Sequence, residues 1–285
     1  MVANNTATGA LALVLLLGCS APDPRWPQTF GYSPEEVHGI EIGQFGYPYV
    51  PVAVDDATLM LPFDTGNMVG VSLSSANFDK SGLTTVETYV RRNSAGEVVA
   101  TLRVGEARDV AVLGRALGPR PIYELDHPTL EGLVGPSVLG GGHFTMDYGT
   151  RRIGVADRPL PETIPGYRSV PLVRSSRHPT LILVHGSIEG RRVLFELDTG
   201  KSRTVVNPGL AVELGLERGS RGVRIEALQM GELSFRLPSA KEVDQTAIDP
   251  GLPEPILAGV GSDILSRFVW TVDYGAGVLW IPEEL

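Results

Sequence analysis

The string Asp-Thr-Gly occurs twice in this chain, and each copy follows an apolar run. The first copy lies within residues 61–67 and the second within residues 193–201. Ordinary composition produces one such string in a chain of this length on the order of a few per cent of the time. Each copy predicts a strand that ends in a tight turn, with a carboxylate, Asp64 or Asp198, where the strand stops. Two copies in matching surroundings call for a common explanation.

The segments that follow the two copies also resemble each other. Gly135 closes a Leu-Val-Gly run and stands twelve residues before Asp147 in an Asp-Tyr-Gly sequence. Gly261 closes a Gly-Val-Gly run and stands twelve residues before Asp273 in a second Asp-Tyr-Gly sequence. The repeats are therefore 126 residues apart from Gly135 to Gly261. A period this long predicts two duplicated domains rather than a solenoid.

From about residue 40 onward, short apolar or alternating runs dominate, which is typical of β-strands. These runs cover 50–54, 58–63, 98–104 and 110–113, and many of the 34 Gly and 22 Pro residues punctuate them. One helix is predicted over 208–215, capped by Asn207 and stopped by Gly215. The Pro-rich segment 159–168 is the best internal boundary. We therefore predict an all-β protein with domains over 39–158 and 169–285.

Composition and motifs argue against several functions. The formal net charge is −9 with no run of like charges, whereas a nucleic-acid-binding protein needs a basic face. None of the five histidines has a metal-binding spacing, and the chain lacks a Gly-x-Ser-x-Gly nucleophile elbow. We therefore expect no metal and no cofactor, and no nucleic-acid partner.

The N-terminus resembles a bacterial lipoprotein signal. An apolar run over 11–17 is too short to span a bilayer and is followed by Gly18 and Cys19, which is the single cysteine. We expect a signal peptide over 1–18, a lipid on Cys19 and a Pro-rich tether over 19–38. Ser20 resembles the residue found in lipoproteins passed to the outer membrane, so the expected location is the periplasmic side of that membrane. The alternative is a plain secretory signal in which Cys19 is incidental.

The two aspartates suggest a specific chemistry. Carboxylates brought face to face cannot both ionise cheaply, so Asp64 and Asp198 would share one proton. One carboxylate could then act as general base on a water while the other donates a proton to a substrate carbonyl. Such a water attacks an amide directly, so neither a Ser nor a Cys nucleophile is needed.

Over about residues 40–284 these motifs resemble the aspartic peptidase superfamily, in particular retropepsin-like domains duplicated in one chain. The resemblance implies an acid-protease-like fold with two β-barrel lobes related by a pseudo-two-fold axis, so that a monomer suffices. It implies an aspartic endopeptidase that acts on an extended peptide or protein, with Asp64 and Asp198 as the catalytic dyad. The residues that support the dyad would be Thr65, Gly66, Thr199 and Gly200. The threonine hydroxyls are expected to bond across to the opposite turn.

The chain departs from the family pattern directly after each motif, where a Ser, Thr or Ala is usual. Asn67 can still donate a hydrogen bond, but Lys201 is a cation that would favour an ionised carboxylate. Either the Lys201 side chain points into solvent, or the pH profile is unusual, or the site no longer cleaves. The competing interpretation is therefore a catalytically silent peptide-binding or scaffold lipoprotein. Flap hairpins that cover the substrate are predicted over 90–102 and 227–235, although any Gly-tipped surface hairpin would have the same pattern.

Overall fold

The structure of the chain is a computed structural model that describes residues 24–92 and 98–285. The predicted signal peptide, Cys19 and the tip of the first predicted flap, at 94–96, lie outside these residues. Lipidation of Cys19 therefore stays a prediction. None of the helices in the described ranges is long and apolar enough to cross a membrane.

The described residues form an all-β protein with a few short helices, as the sequence predicts. The strands of the first half are β1 (Val37–Gly39), β2 (Glu41–Ile42), β3 (Pro48–Val54), β4 (Ala57–Pro62), β5 (Val71–Ser74), β6 (Thr85–Arg92), β7 (Val98–Val112), β8 (Arg115–Leu125), β9 (Gly132–Val134), β10 (His143–Asp147) and β11 (Arg152–Ala156). Those of the second half are β12 (Tyr167–Pro171), β13 (Leu183–Ile188), β14 (Arg191–Leu197), β15 (Val205–Val206), β16 (Arg218–Gly219), β17 (Gly222–Met230), β18 (Leu233–Glu242), β19 (Ile256–Val260), β20 (Trp270–Asp273) and β21 (Val278–Pro282). The α-helices are α1 (Trp26–Thr29), α2 (Ser75–Lys80), α3 (Pro208–Glu213) and α4 (Ser262–Leu265), and 3-10 turns lie at Pro34–Glu36, Gln44–Gly46 and Pro136–Leu139.

Most of the predicted elements exist, with one merger. In β3 every second side chain is buried, as alternation predicts. The runs 98–104 and 110–113 belong to one strand of 15 residues, β7, because β8 pairs along its length and a bulge between Ala107 and Val110 absorbs the polar residues between the runs. The helix α3 is capped by the Asn207 side chain, which accepts from the Gly209 N–H at 2.8 Å. Gly215 follows with a φ of 62°, which ends the helix.

Three sheets build the molecule. An eight-stranded sheet contains β2 to β9, all from the first half, and a seven-stranded sheet contains β13 to β19, all from the second half. The third sheet has the order β1-β11-β10-β20-β21-β12, so each half supplies three of its strands. Its central pair joins β10 to β20, with Thr145 opposite Thr271 and their hydroxyl oxygens 2.6 Å apart. The repeated segments before the two Asp-Tyr-Gly turns are therefore the strands that hold the halves together.

The core crosses this shared sheet. The Phe63 ring, which precedes Asp64 in the chain, packs edge-on against Phe144 of β10, with ring centroids 5.4 Å apart. Phe144 in turn packs against Trp270 of β20 at 5.6 Å. All three side chains are fully buried. One continuous set of apolar contacts therefore links the first Asp-Thr-Gly turn to the second half of the chain.

The expectation of an extended tether is wrong for residues 24–38. Trp26, Phe30 and Tyr32 are buried against the shared six-stranded sheet and its edge. The Trp26 indole N–H donates to Asp147 Oδ2 at 2.7 Å, and the Tyr32 hydroxyl lies 2.9 Å from the Thr145 hydroxyl. Three large aromatic side chains remove enough apolar surface from water to outweigh the Pro-rich composition that favours an extended chain. The folded part of the chain therefore begins before residue 39.

Candidate active site

The first Asp-Thr-Gly turn lies just beyond the end of β4. The Asp64 backbone N–H donates to the Val134 carbonyl of β9 at 2.9 Å, which holds the turn against a neighbouring strand. The Gly66 N–H donates to Asp64 Oδ1 at 2.9 Å, and the Asn67 N–H donates to the Asp64 carbonyl at 3.0 Å. The apolar strand therefore delivers the carboxylate to a rigid turn that fixes one of its oxygens.

The second turn repeats these contacts one for one. The Asp198 N–H donates to the Val260 carbonyl of β19 at 3.0 Å. The Gly200 N–H donates to Asp198 Oδ1 at 2.7 Å, and the Lys201 N–H donates to the Asp198 carbonyl at 3.1 Å. The two turns have the same backbone hydrogen bonds because they have the same three residues after an apolar strand.

Thr65 and Thr199 fasten the two turns to each other. The Thr65 hydroxyl donates to the Leu197 carbonyl at 2.8 Å and accepts from the Thr199 N–H at 3.0 Å. The Thr199 hydroxyl donates to the Phe63 carbonyl at 2.5 Å and accepts from the Thr65 N–H at 3.0 Å. Both threonines are fully buried. These are the cross-turn bonds that the sequence led us to expect, and they are reciprocal.

The cross-bonding brings the two carboxylates together. A Cβ atom built on Gly66 would lie 2.6 Å from Asp198 Oδ2, and one built on Gly200 would lie 2.5 Å from Asp64 Cγ. Each glycine thus faces the opposite aspartate across the junction. Neither residue has a positive φ, so these positions need glycine because the opposite carboxylate occupies the space and not because of the backbone conformation.

Gly135 and Gly261 let the turns rest on the strands beneath them. A Cβ atom at Gly135 would lie 2.4 Å from the Asn67 carbonyl oxygen, and one at Gly261 would lie 2.6 Å from the Lys201 carbonyl oxygen. Real Cβ atoms do not come this close to backbone oxygens. The lack of a side chain at these two glycines therefore lets the backbone of each turn pass close to the strand beneath it.

The proximity of the carboxylates changes the protonation of Asp64. Removal from water and the nearby Asp198 charge raise the pKa of Asp64 well above the usual value, and a hydrogen bond between the two carboxyl groups adds to this. The Gly66 N–H and the Lys201 charge act in the opposite direction but are outweighed. The pair can therefore hold one proton on Asp64, which is the arrangement that general acid and base catalysis by two carboxyls requires.

Lys201 does not point into solvent, so the first of the three alternatives for this residue is wrong. Its Nζ atom donates to Glu196 Oε2 at 2.7 Å and forms a second hydrogen bond and ion pair with Asp198 Oδ2. Burial by itself would lower the pKa of Lys201, but the charges of Asp198 and Glu196 outweigh it, so the net shift is upward. Lys201 is therefore a cation in direct contact with one aspartate of the pair.

Glu196 and Gln245 were not singled out by sequence reasoning, although both belong to this site. Glu196 is 1% exposed and accepts a hydrogen bond from the Gln245 amide at 2.7 Å in addition to the one from Lys201. Burial, followed by the Asp198 charge, raises the pKa of Glu196 despite the nearby Lys201. A signal for Glu196 was present in the sequence: it is the only charged residue in the apolar run Val193-Leu194-Phe195-Glu196-Leu197. Gln245 comes from a distant loop and had no such signal.

Among the described residues, Asn67, the counterpart of Lys201, makes no comparable contact. Its side-chain oxygen accepts a hydrogen bond from the Val69 N–H at 3.3 Å within its own turn. Tyr47 is a further neighbour of the pair that the sequence did not indicate. It is half-buried, and its pKa is raised first by burial and then by the charges of Asp64 and Asp198.

The flap predicted over 227–235 is wrong. This segment is the β17–β18 hairpin, and its tip packs against the shared six-stranded sheet. A Cβ atom at Gly231 would lie 2.9 Å from Ile281 of β21 and 3.2 Å from Val170 of β12. In the first half, β6 and β7 form a long hairpin from Thr85 opposite Gly105 to Arg92 opposite Val98. The hairpin at the corresponding place in the second half, β16–β17, has only two residue pairs.

No protein-family model matches the chain, and no curated protein matches it significantly. The described residues contain no group of three or more His, Cys, Asp or Glu side chains that could hold a metal ion.

Proposed function

We propose that the chain is an aspartic endopeptidase in which Asp64 and Asp198 hydrolyse peptide bonds with an activated water. The observation that carries this proposal is the contact between the two Asp-Thr-Gly turns. Each carboxylate lies against the glycine of the opposite turn, and four reciprocal hydrogen bonds from Thr65 and Thr199 hold the turns in place. Paired carboxyls fixed in this way by a rigid scaffold are suited to proton transfer at a single bound water.

We also propose that the two halves are duplicated lobes of an acid-protease-like fold, related by a pseudo-two-fold axis, so that a monomer builds the whole site. The repeated motifs support this proposal, as does the shared sheet, to which each half contributes three strands. The central β10–β20 pair also supports it, because the equivalent residues Thr145 and Thr271 lie directly opposite each other. A self-complementary patch of this kind is what a two-fold relation requires.

In the proposed reaction, the ionised Asp198 takes a proton from the water as its oxygen bonds to the carbonyl carbon. Asp64 gives its proton to the carbonyl oxygen, which produces a neutral gem-diol. Collapse of the gem-diol breaks the C–N bond: the proton on Asp198 passes to the departing amine, and a gem-diol hydroxyl returns a proton to Asp64. The products are a carboxylic acid and an amine, and the dyad regains its starting protonation.

The proposed substrate is an extended peptide or a protein segment bound between the lobes as an added strand. The β6–β7 hairpin is the proposed flap over that strand. Its length supports this role, since the second half has only the two-pair β16–β17 hairpin at the corresponding place. We therefore propose a site covered from one side.

A catalytically silent peptide-binding or scaffold lipoprotein is the second candidate, and the Lys201 contact is the observation that favours it. An ammonium group bonded to Asp198 Oδ2 occupies one oxygen of the proposed base. A strong enough pairing would prevent Asp198 from accepting a proton from water. The fold and the peptide groove would then be retained without hydrolysis.

The experiment that separates these candidates uses the full-length chain, purified in mild detergent, and a mixed peptide library from acidic to neutral pH. We expect the wild type to cleave peptides. Asp64→Asn and Asp198→Asn should each lower the rate of cleavage by about 10²-fold to 10⁴-fold. Asp56→Asn is the matched control, because Asp56 is an exposed aspartate in the turn between β3 and β4. A wild type that binds peptides but cleaves none of them would favour the silent scaffold. Equal cleavage by the Asn variants would rule out the dyad.

We further propose that the chain is exported to the periplasmic side of a membrane, the outer one by preference, and anchored by a lipid on Cys19. The short apolar run followed by Gly18 and Cys19 supports this proposal. Metabolic labelling with a palmitate analogue should label the wild type but not Cys19→Ser. Equal labelling of the two would show that Cys19 is not the anchor.

A further inference from the structure

The second Asp-Thr-Gly turn contains a buried cation site that has no equivalent in the first. Lys201 Nζ bonds to Glu196 and Asp198, and the Gln245 amide bonds to the same Glu196 oxygen at 2.7 Å. The Lys201 side chain is 20% exposed and that of Glu196 is 2% exposed. Gln245 therefore fixes the Glu196 carboxylate, and the carboxylates of Glu196 and Asp198 hold the Lys201 cation next to Asp64 and Asp198, the proposed dyad.

Three matched positions show that the second half is built to hold this cation. Two residues before each aspartate stand Pro62 in the first half and Glu196 in the second, and three residues after stand Asn67 and Lys201. Two residues before Gly135 and Gly261 stand Leu133 and Gly259, respectively.

Gly259 supplies the space for the cluster. A Cβ atom there would lie 2.6 Å from Gln245 Oε1 and 3.1 Å from Lys201 Cε. A leucine, as at position 133, would fill the space that the lysine stem and the amide occupy. The anion, the cation and the space for them thus occur together in one half only.

The charged and titratable groups that face the pair come from several elements. Glu196 lies on β14, Lys201 follows the Asp198 turn, Tyr47 precedes β3 and Tyr148 follows β10. Burial raises the pKa of both tyrosines, so they stay neutral over the acidic and neutral range. Among these groups Lys201 is the cation, and it contacts Asp198 rather than Asp64.

We infer that Lys201 is a positioning residue for the proposed reaction: it holds the negative charge on Asp198 and leaves the shared proton on Asp64. Asp198 is then the base and Asp64 the acid before any substrate binds. Glu196 offsets part of the Lys201 charge, so the ammonium group is shared between two carboxylates. This inference rests on the proposed aspartic peptidase function.

The inference predicts opposite effects for the two members of the ion pair. A cation beside the dyad favours the loss of a proton from each of the two carboxyl groups. Because each proton loss sets one limb of the pH–activity profile, removing the cation moves both limbs to higher pH. Removing the Glu196 charge leaves the cation uncompensated and moves the alkaline limb to lower pH. A purely structural role for the ion pair would lower activity in both variants without moving the limbs apart.

The test compares pH profiles of kcat/KM for the full-length wild type and four variants on one cleaved peptide. We expect Lys201→Met to shift both limbs upward by about one pH unit or more, and Glu196→Gln to shift the alkaline limb downward. Lys201→Arg, which keeps the cation, should retain the wild-type limbs. Lys80→Met is the matched control, because Lys80 is an exposed lysine at the end of α2. Shifts in the same direction for Lys201→Met and Glu196→Gln, or none for Lys201→Met, would overturn the inference.

A second measurement keeps the inference separate from the proposed activity. The carboxyl ¹³C resonances of the aspartates are followed by NMR against pH, and the two signals are assigned with Asp64→Asn and Asp198→Asn. We expect Asp198 to be ionised in a range where Asp64 is still protonated, and Lys201→Met to raise the pH at which Asp198 ionises. If Asp64 ionises first, the inference fails even for an active enzyme. If the order holds in a chain that cleaves nothing, only the proposed peptidase function fails.

Discussion

The two Asp-Thr-Gly turns have the same backbone but different electrostatic surroundings. In both, the aspartate N–H donates to a strand carbonyl and the glycine N–H donates to the aspartate Oδ1. Around Asp198, however, Lys201 and Glu196 form a buried ion pair, whereas the Asn67 side chain beside Asp64 accepts a hydrogen bond from Val69 of its own turn. The turn geometry therefore depends on the three shared residues, and the adjacent side chains are free to differ. Those side chains give the two aspartates unequal electrostatic surroundings.

The largest effect is expected from removing the Thr65 and Thr199 hydroxyls, which join the two turns. Thr65→Val removes the hydroxyl that bonds to the Thr199 N–H and the Leu197 carbonyl. Thr199→Val removes the hydroxyl that bonds to the Thr65 N–H and the Phe63 carbonyl. Each change leaves these two buried backbone groups without that partner. We expect each change to lower the free energy of unfolding by about 2–5 kcal/mol. The double variant should lose less than the sum, because both changes break one interlocked network. Chemical denaturation measures these values.

Thr65→Ser and Thr199→Ser keep the hydroxyls and serve as matched controls. We expect each of them to lose much less stability than the corresponding valine variant. Equal losses for the serine and valine variants would show that packing of the methyl group, and not the hydrogen bonds, holds the turns together.

A smaller effect is expected from closing the space between the turns. Gly66→Ala and Gly200→Ala each place a Cβ atom against the opposite carboxylate, at 2.6 Å from Asp198 Oδ2 and 2.5 Å from Asp64 Cγ. The two turns must then move apart, and we expect a loss of about 10²-fold in kcat/KM, which corresponds to about 2.7 kcal/mol. Steady-state kinetics on a cleaved peptide checks this expectation. Gly39→Ala is the control, since a Cβ atom at that exposed position meets nothing within 4 Å.

If only one of the two alanine variants loses activity, the two turns do not approach each other as equivalent partners. The two turns would then be alike only in the backbone hydrogen bonds within each turn.

The smallest effect concerns the difference between the aspartates. Burial and the nearby Asp198 charge hold the pKa of Asp64 in the folded chain above its usual value of 3.8. Its contribution to stability is therefore fully present below pH 3.8 and is lost as the pH rises through the folded pKa. The asparagine in Asp64→Asn cannot ionise. The melting temperature of this variant relative to the wild type should therefore increase by a few degrees as the pH rises. Thermal unfolding across this range measures the difference.

Asp56→Asn is again the control and should show a difference that does not vary with pH. A flat difference for Asp64→Asn as well would mean that Asp64 ionises as easily in the folded chain as in the unfolded one. The assignment of the shared proton to Asp64 would then be wrong.

Sequence patterns predicted those features of the fold that depend on residues close together in the chain. Alternating runs indicated β3 and β4, and Asn207 and Gly215 bounded the one clear helix, α3. The cross-turn bonds of Thr65 and Thr199 join residues more than 130 positions apart, and they were expected only because the repeated motifs resemble a known family. The strands and the helix were predicted correctly because the backbone conformation of a strand or a helix cap depends mainly on neighbouring residues.

The failures came from contacts between distant residues. Pro-rich composition suggested a tether, but Trp26 finds a hydrogen-bond partner in Asp147, 121 residues away. A Gly-tipped hairpin suggested a second flap, but Gly231 lies against Val170 and Ile281 of the shared sheet. Local patterns cannot show which surface a segment will meet, because that depends on how the sheets are placed.

The all-β class and the two Asp-Thr-Gly turns follow from the sequence patterns, because strands and tight turns depend mainly on residues close together in the chain. The position of the Lys201 side chain, in contrast, depends on tertiary contacts. The Lys201 side chain turns toward Asp198 rather than solvent because three groups favour that position. These are the Glu196 carboxylate, the Gln245 amide that bonds to it, and Gly259, which leaves space for the lysine stem. A buried ion pair forms only where partners and space are supplied together, and here two of the three come from segments more than 40 residues further along the chain.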